Sequence, residues 1–547
     1  MKTKIHHKEE SIVDRRISFF SMVLIISMLF TIRGNAQSTT ATDYFPVVTT
    51  GDQFPDFSGV AVDELFLFAY RNGNWEMIPS QLDERSSQGD YFFPDDIPGL
   101  DDNDEFSFLA ADVGDYYPSG SGAWIANPES RLYPRYQITV TDSTTGMMLG
   151  YVYLYRSNTL TSQTADYIEY RPGPPQTTAA DTVLGPTFTL AHHEKGFLDY
   201  LVIPTSLGGS GTDLLDRQKF RIEIDFSFPI LINEDDFQNA MVLPDSVLDG
   251  SVRILKLLNL EVVIFGSSVP LSLFMKYFPY SVQISSELNL SSLPLQVLLI
   301  RQSLDFNESA IGMSYYDMNV PAGVMIDGTP DAVPLTPVLF APQVNWNHIT
   351  GSQGTVVELF RFTPLGTTTF GRYYKDEDVI DPDDTGDGKS FGDNGFLITN
   401  LQAGASAMPL DINGFFLAPN LPSTLGEDLA ELQEFPPGLD FEVQTYSSVS
   451  GLEITANNQA ITYALWQNFP NPFNPTTIIN YQLAVGGPVN LSVFNLVGQK
   501  VATLIAEKKP AGSHQVEFSA TNLASGIYLY RLEAGGFVRT RKMIVMR

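Results

Sequence analysis

The stretch Asp381-Pro382-Asp383-Asp384-Thr385-Gly386-Asp387-Gly388-Lys389-Ser390-Phe391-Gly392-Asp393-Asn394 carries the residue types that hold a hard cation. Calcium needs several oxygens around one point, and a loop supplies them when acids alternate and a glycine permits a sharp turn. Asp383, Thr385 and Asp387, with Gly388 next, fill the first, third, fifth and sixth positions of such a loop. The twelfth position is Asn394 rather than a bidentate glutamate, and Asp393 substitutes for it only by a shift. The loop reads as an incomplete calcium loop, with a solvated acidic turn as the plainer alternative. A second acidic cluster, Asp95 to Phe106, offers Asp101, Asn103 and Glu105 to an ion but no downstream ligand. Calcium is the one cofactor these patterns suggest.

Other chemistries find less support. The chain has no cysteine, so thiolate nucleophiles and thiolate metal sites are excluded. His192, His193, His348 and His514 are the histidines beyond the N-terminal segment. His192 and His193 are adjacent, and strand neighbours point to opposite faces, which argues against a shared metal. There is no H-E-x-x-H zinc helix, no G-x-S-x-G elbow and no phosphate-binding or dinucleotide loop. An enzyme acting on polysaccharide would want facing carboxylates and aromatic platforms. Tyr315, Tyr316, Asp317, Trp346 and His348 lie on strand-like segments where such a site could form, as do His193, Asp199 and Tyr200. In an all-β protein such aromatics more often pack sheets.

The elements that would position these residues are strands. Leu65 to Tyr70 and Trp75 to Pro79 flank Asn72-Gly73, a strong hairpin signal. Tyr136 to Val140 and Leu149 to Tyr155 form a second hairpin. Phe220 to Phe228 alternates cleanly, and Ser251 to Phe265, Tyr280 to Leu290 and Val356 to Phe362 continue the pattern. Helical signals are confined to Asp213–Arg217 and Glu427–Glu434. No 20–50 residue repeat marks a solenoid or propeller. The polar, proline-rich Arg171 to Asp181 is the best internal linker. The expected class is all-β: a large antiparallel sandwich body of one or two domains, divided near 180, and a small sandwich at the C-terminal end.

Charge marks the boundary between body and tail. The net charge is −31; residues 1–36 sum to +3 and 461–547 to +5, which leaves −39 on 37–460. So acidic a body excludes nucleic acid as a partner, because a phosphate backbone needs a basic face. Arg15-Arg16, an apolar run from Ile17 to Ile32 and the small residues Gly34-Asn35-Ala36 describe a signal peptide cleaved after Ala36. The expected segments are 1–36 signal peptide, 37–180 N-terminal β-rich domain, 181–455 central sandwich and 461–547 tail.

The tail carries the most specific pattern. Phe469-Pro470-Asn471-Pro472-Phe473-Asn474-Pro475 makes a rigid extended entry, since each proline pushes its asparagine out of the helical region. Val493 to Val501 turns at Gly498; Ser525-Gly526 precedes Ile527-Tyr528-Leu529-Tyr530; and a basic strand with Arg541 and Lys542 closes the chain. In this order these motifs resemble the type A C-terminal sorting domain of the type IX secretion system of Bacteroidota and related Gram-negative bacteria. The resemblance implies an Ig-like sandwich read by machinery at the outer membrane and usually cleaved off. Asn471, Pro472, Phe473, Asn474, Pro475, Gly498, Gly526, Tyr528 and Lys542 would carry the sorting signal. It places the cargo outside the cell or on its surface. It covers nothing before about residue 460, so it gives an address and not an activity. The body is expected to be a binding or structural module for polysaccharide or another surface component; the alternative is a secreted glycoside hydrolase or polysaccharide lyase.

Overall fold

A computed structural model describes residues 40–545 apart from 94–96, 118–123, 163, 165, 174–179, 226–228, 242–245, 265–266, 289–295, 334–343, 363–367, 383, 402–407, 447–463, 466–467, 469–470, 472, 484, 496–498, 511, 522 and 536. The signal-peptide expectation for 1–36 lies outside the described residues. Every strand pairing described is antiparallel apart from one isolated bridge, Phe473 to Val545. Among the described residues no helix is long and apolar enough to cross a membrane.

The first hairpin forms where its turn residues place it. Leu65–Arg71 pairs with Asn74–Met77 across Asn72 and Gly73, whose φ values of 51° and 82° are those a two-residue hairpin turn requires. Alternation then divides the strand: Leu67 and Ala69 enter one core with Ile138, Val152 and Phe108, while Phe66 and Phe68 join Trp124, Tyr153 and Tyr155 on the other face. Arg135 lies buried in that aromatic layer, its guanidinium 4.6 Å from the Trp124 ring and 4.7 Å from Tyr153.

This sheet has five strands in the order Gly438–Gln444, Arg135–Thr141, Met148–Arg156, Leu65–Arg71, Asn74–Met77. Its first member comes from the far end of the body. The segment expected to finish the 181–455 domain thus adds to the N-terminal sheet instead, because its amides and carbonyls pair with the open edge of Arg135–Thr141. Arg135 Nε reinforces the union by donating to Gln444 Oε1 at 2.8 Å.

The central body stacks a five-stranded and a ten-stranded sheet. The smaller runs Pro229–Ile232, Leu215–Asp225, Gln296–Phe306, Ser390–Thr399, Thr369–Glu377. The larger includes Ile254–Ile264, Ser267–Tyr277, Ser281–Leu288, Met408–Leu417, Gly354–Phe362, Asn345–Gly351 and Ser314–Asp317 as successive neighbours. Ile222, Ile300, Phe396 and Ile398 of one sheet meet Val356, Phe360 and Phe416 of the other in a shared core. On the outer face of the larger sheet, Val357, Leu359, Phe415 and Leu417 are covered by the helix Leu425–Glu434. That helix lies where the sequence signal at 427–434 put it. The other helical signal is corrected: Asp213 bridges Val202 and Leu215 begins a strand, because alternating burial through Ile222 and Ile224 overrides five residues of weak propensity.

The tail closes on itself. Thr476–Leu483 pairs with Ala464–Leu465 and Gly512–Ser519, and Gly487–Asn495 sits between Lys500–Lys509 and Gly526–Ala534, with Phe537–Val545 at the edge. Among the described residues its core, from Leu465 through Ile479, Leu491 and Tyr530 to Val545, contains no body residue.

Candidate functional site

Trp346 and Tyr316 floor a groove of about 530 Å³ walled by the helix, with Met318, Glu427, Glu431 and Glu434 at its rim. The glutamates stand four and three residues apart, so they share one face of the helix. The opposite face, Leu425, Leu429 and Leu432, is buried on the sheet. Gly426 allows this approach: a Cβ there would stand 2.5 Å from the Trp346 ring. His348 shares the outer face with Trp346. Its Nδ1 lies 3.3 Å from the Ser423 carbonyl, and burial holds its pKa down to about 4, so the ring is neutral.

Strand alternation separates the residues nominated together in the sequence. Tyr316, Trp346 and His348 face the helix, whereas Tyr315 and Asp317 point into the sandwich. There Asp317 pairs with Arg372 at 2.9 Å and accepts from the Tyr315 hydroxyl at 2.9 Å. A carboxylate so engaged, and only 1% exposed, is a structural anchor. Asp199 and Tyr200 lie on Leu198–Val202 of a separate four-stranded sheet and His193 in the connection before it, and none of the three lines the groove. Burial raises the pKa of Asp199.

The acidic loops bind protein cations. Asp384, which the calcium pattern does not use, accepts from Lys219 Nζ at 2.7 Å and Arg221 Nη2 at 2.9 Å. Those bonds overcome the burial that would raise its pKa and hold it at about 2. Thr385 Oγ1 accepts from Arg221 at 2.6 Å and donates to Glu234. Asp387 is exposed, and its Oδ1 takes the Lys389 amide at 2.8 Å. Asp393 is fully buried, 4.0 Å from Lys219 Nζ, and Asp383 lies outside the described residues. In the second cluster Asp101 accepts from the Asn103 amide at 2.9 Å, while Asn103 donates to the Ser86 carbonyl. Glu105 turns away to Arg253 at 2.9 Å and Arg85 at 3.4 Å. Among the described residues no three His, Asp or Glu side chains stand together as a metal site.

One polar cluster had no sequence signal beyond single letters. Asp181 Oδ1 is 2.6 Å from His192 Nδ1, and its Oδ2 takes Lys256 Nζ and the Tyr170 hydroxyl, each at 2.6 Å. The Tyr277 hydroxyl lies 2.8 Å from His192 Nε2. Asp181, His192, Lys256 and Tyr277 are all buried, which leaves the chain of groups no route to substrate.

In the tail the entry motif docks on the last strand. Asn471 Oδ1 accepts from the Ile544 amide at 2.7 Å, and the Phe473 amide donates to the Ile544 carbonyl at 3.0 Å. Phe473 is buried against Phe518, and the Asn474–Pro475 peptide is cis. Tyr528 donates to the Ala524 carbonyl at 3.1 Å, and Lys542 is exposed on the closing strand. Gly526 opens its strand at φ 155°. Pro472 and Gly498 lie outside the described residues; Asn495 and Gln499 are joined by three hydrogen bonds of 2.9 Å.

No curated protein matches the chain. Among solved structures it is similar to an alpha-mannosidase from Enterococcus faecalis V583 and to a protein in the glycosyl hydrolase family 38 from Enterococcus faecalis, each at 8% identity and TM-score 0.37. The alignments cover 87% of this chain but 54% and 56% of those chains, so it spans about half their length. At that score the likeness defines no shared fold. Residues 467–546 match the secretion system C-terminal sorting domain, and this part of the chain is a type IX sorting domain.

Proposed function

We propose that the protein is a type IX cargo whose acidic β body serves outside the cell as a binding module, with the groove beneath the helix Leu425–Glu434 as its ligand site. Residues 1–36 would first carry the chain to the periplasm, and the tail would then engage the outer-membrane machinery. The groove is the observation that carries the binding reading: it joins an aromatic floor to a polar rim in about 530 Å³, the ordinary make-up of a ligand cleft. Two of the residues that the sequence offered to a glycosidase are committed to structural contacts, which supports binding. Asp317 is tied to Arg372, and Tyr315 is buried beside it.

The test has two arms. Removing 461–547 should abolish release or surface display while the body accumulates inside, and a deletion exported normally would refute the routing. Full-length Tyr316→Ala with Glu431→Lys should lose at least ~10-fold in binding to cell-surface polysaccharide, the effect of about 1.4 kcal/mol. Unchanged retention by this variant would refute the groove.

A further inference from the structure

We infer that the ammonium of Lys219 is the resident cation of the Asp381–Asn394 loop, filling from within the place that its sequence pattern offers to calcium. Lys219 and Arg221 are two apart on Leu215–Asp225, so both side chains leave the same face of the strand. Lys219 Nζ lies 2.6 Å from Asp305 Oδ2, 2.7 Å from Asp384 Oδ2 and 4.0 Å from Asp393 Oδ2. The side chains of Lys219, Asp305 and Asp393 are 0% exposed, and that of Asp384 is 9% exposed. Carboxylates from two neighbouring strands and one loop thus surround the ammonium, and Arg221 shares Asp384 with it. The two short contacts are the length of charge-assisted N–H···O bonds, about 2.7–2.9 Å.

Among the described residues, the oxygens that a calcium ion would need do not meet. Thr385 is turned to Arg221 and Glu234. Asp387 stands at the surface, where its amide donates to Asp216 Oδ1 at 3.2 Å. Asp393 is held beneath Lys219, on the far side from Asp387 in exposure: one is fully buried, the other exposed. Placing a divalent ion among Asp305, Asp384 and Asp393 would require Lys219 to leave a fully buried position. A covalently attached cation has a consequence for an exported protein. The loop keeps its shape whatever the calcium concentration outside the cell.

The full chain can be tested directly. Melting and protease resistance should be the same with chelator and with ~1 mM calcium, a concentration that saturates all but the weakest extracellular sites. Lys219→Met, which keeps the volume and removes the charge, should lower the melting temperature by several degrees and open the loop to protease. Asp387→Asn should lower neither, although it removes the fifth-position ligand of a calcium loop. Chelator-induced loss of stability in the wild-type protein overturns the inference. So does an Asp387→Asn variant that melts lower and regains its stability with calcium. Both of these readouts use proteins that retain Lys219, so they stand even if Lys219→Met does not fold.

Discussion

Replacing Asp181 by Asn tests whether the buried chain Tyr277–His192–Asp181–Lys256 is held by charge. The wild-type carboxylate is fully buried, and His192 and Lys256 overcome the cost of that burial to keep its pKa well below the usual range. Asparagine preserves the shape but leaves the ammonium of Lys256 without a counter-ion at 0% exposure. Breaking a buried pair in this way costs about 3–5 kcal/mol. Burial already lowers the pKa of Lys256 with Asp181 present. In the variant the native state therefore sheds the lysine proton more readily than the unfolded chain, and stability should rise with pH. Denaturant titrations at several pH values measure both effects. The double variant Asp181→Asn with Lys256→Met should recover most of the loss, since it removes the unpaired ammonium while the amide oxygen still accepts from a neighbour of Asp181. A single variant that loses less than ~1 kcal/mol, or a double variant no better than the single, would show that packing rather than charge holds this cluster.

Two further substitutions follow from contacts already described. Gly426→Ala should destabilise the helix by about 1–3 kcal/mol, because its Cβ meets the Trp346 ring at 2.5 Å; a melting temperature equal to wild type would contradict the close packing. Asp216 is held up at about 6, first by burial and then by Asp387. Its folded pKa exceeds the unfolded one, so the native state binds the extra proton between about 4 and 6. This group therefore favours the native state as pH falls through 6, and Asp216→Asn should raise stability at pH 7 but not at pH 4, as read by thermal melting.

The fold was legible where local chemistry decided it. Asn72-Gly73 announced a hairpin, the alternation from Phe220 onward announced a strand, although its second face with Arg221 is buried rather than wet, and the glutamate-rich run at 427–434 announced a helix. The tail was legible residue by residue, because its motifs are short and occur in fixed order. Long-range pairing was not legible: nothing in Gly438–Gln444 names Arg135–Thr141 as its partner. Charge networks were hidden for the same reason. Asp181 ends a polar stretch that reads as linker, yet it becomes the anion of a sealed cluster with Lys256. The calcium pattern counts acids along the loop and cannot see Lys219 and Arg221 approaching from another strand. Tyr315 and Tyr316 are neighbours in sequence, but the pleat sends one into the sandwich and the other to the groove.

The pairing of Gly438–Gln444 with Arg135–Thr141 also sets a timetable. Arg135 and Gln444 are 309 positions apart, so the amino-terminal lobe cannot complete its edge until almost the whole cargo has been synthesised. Contacts this distant along the chain slow folding, because loop closure must precede any gain from them. A nascent chain delayed in this way keeps an open strand edge until its last body strand is made. Once released, it would close its first lobe with its last strand, immediately before the sorting domain.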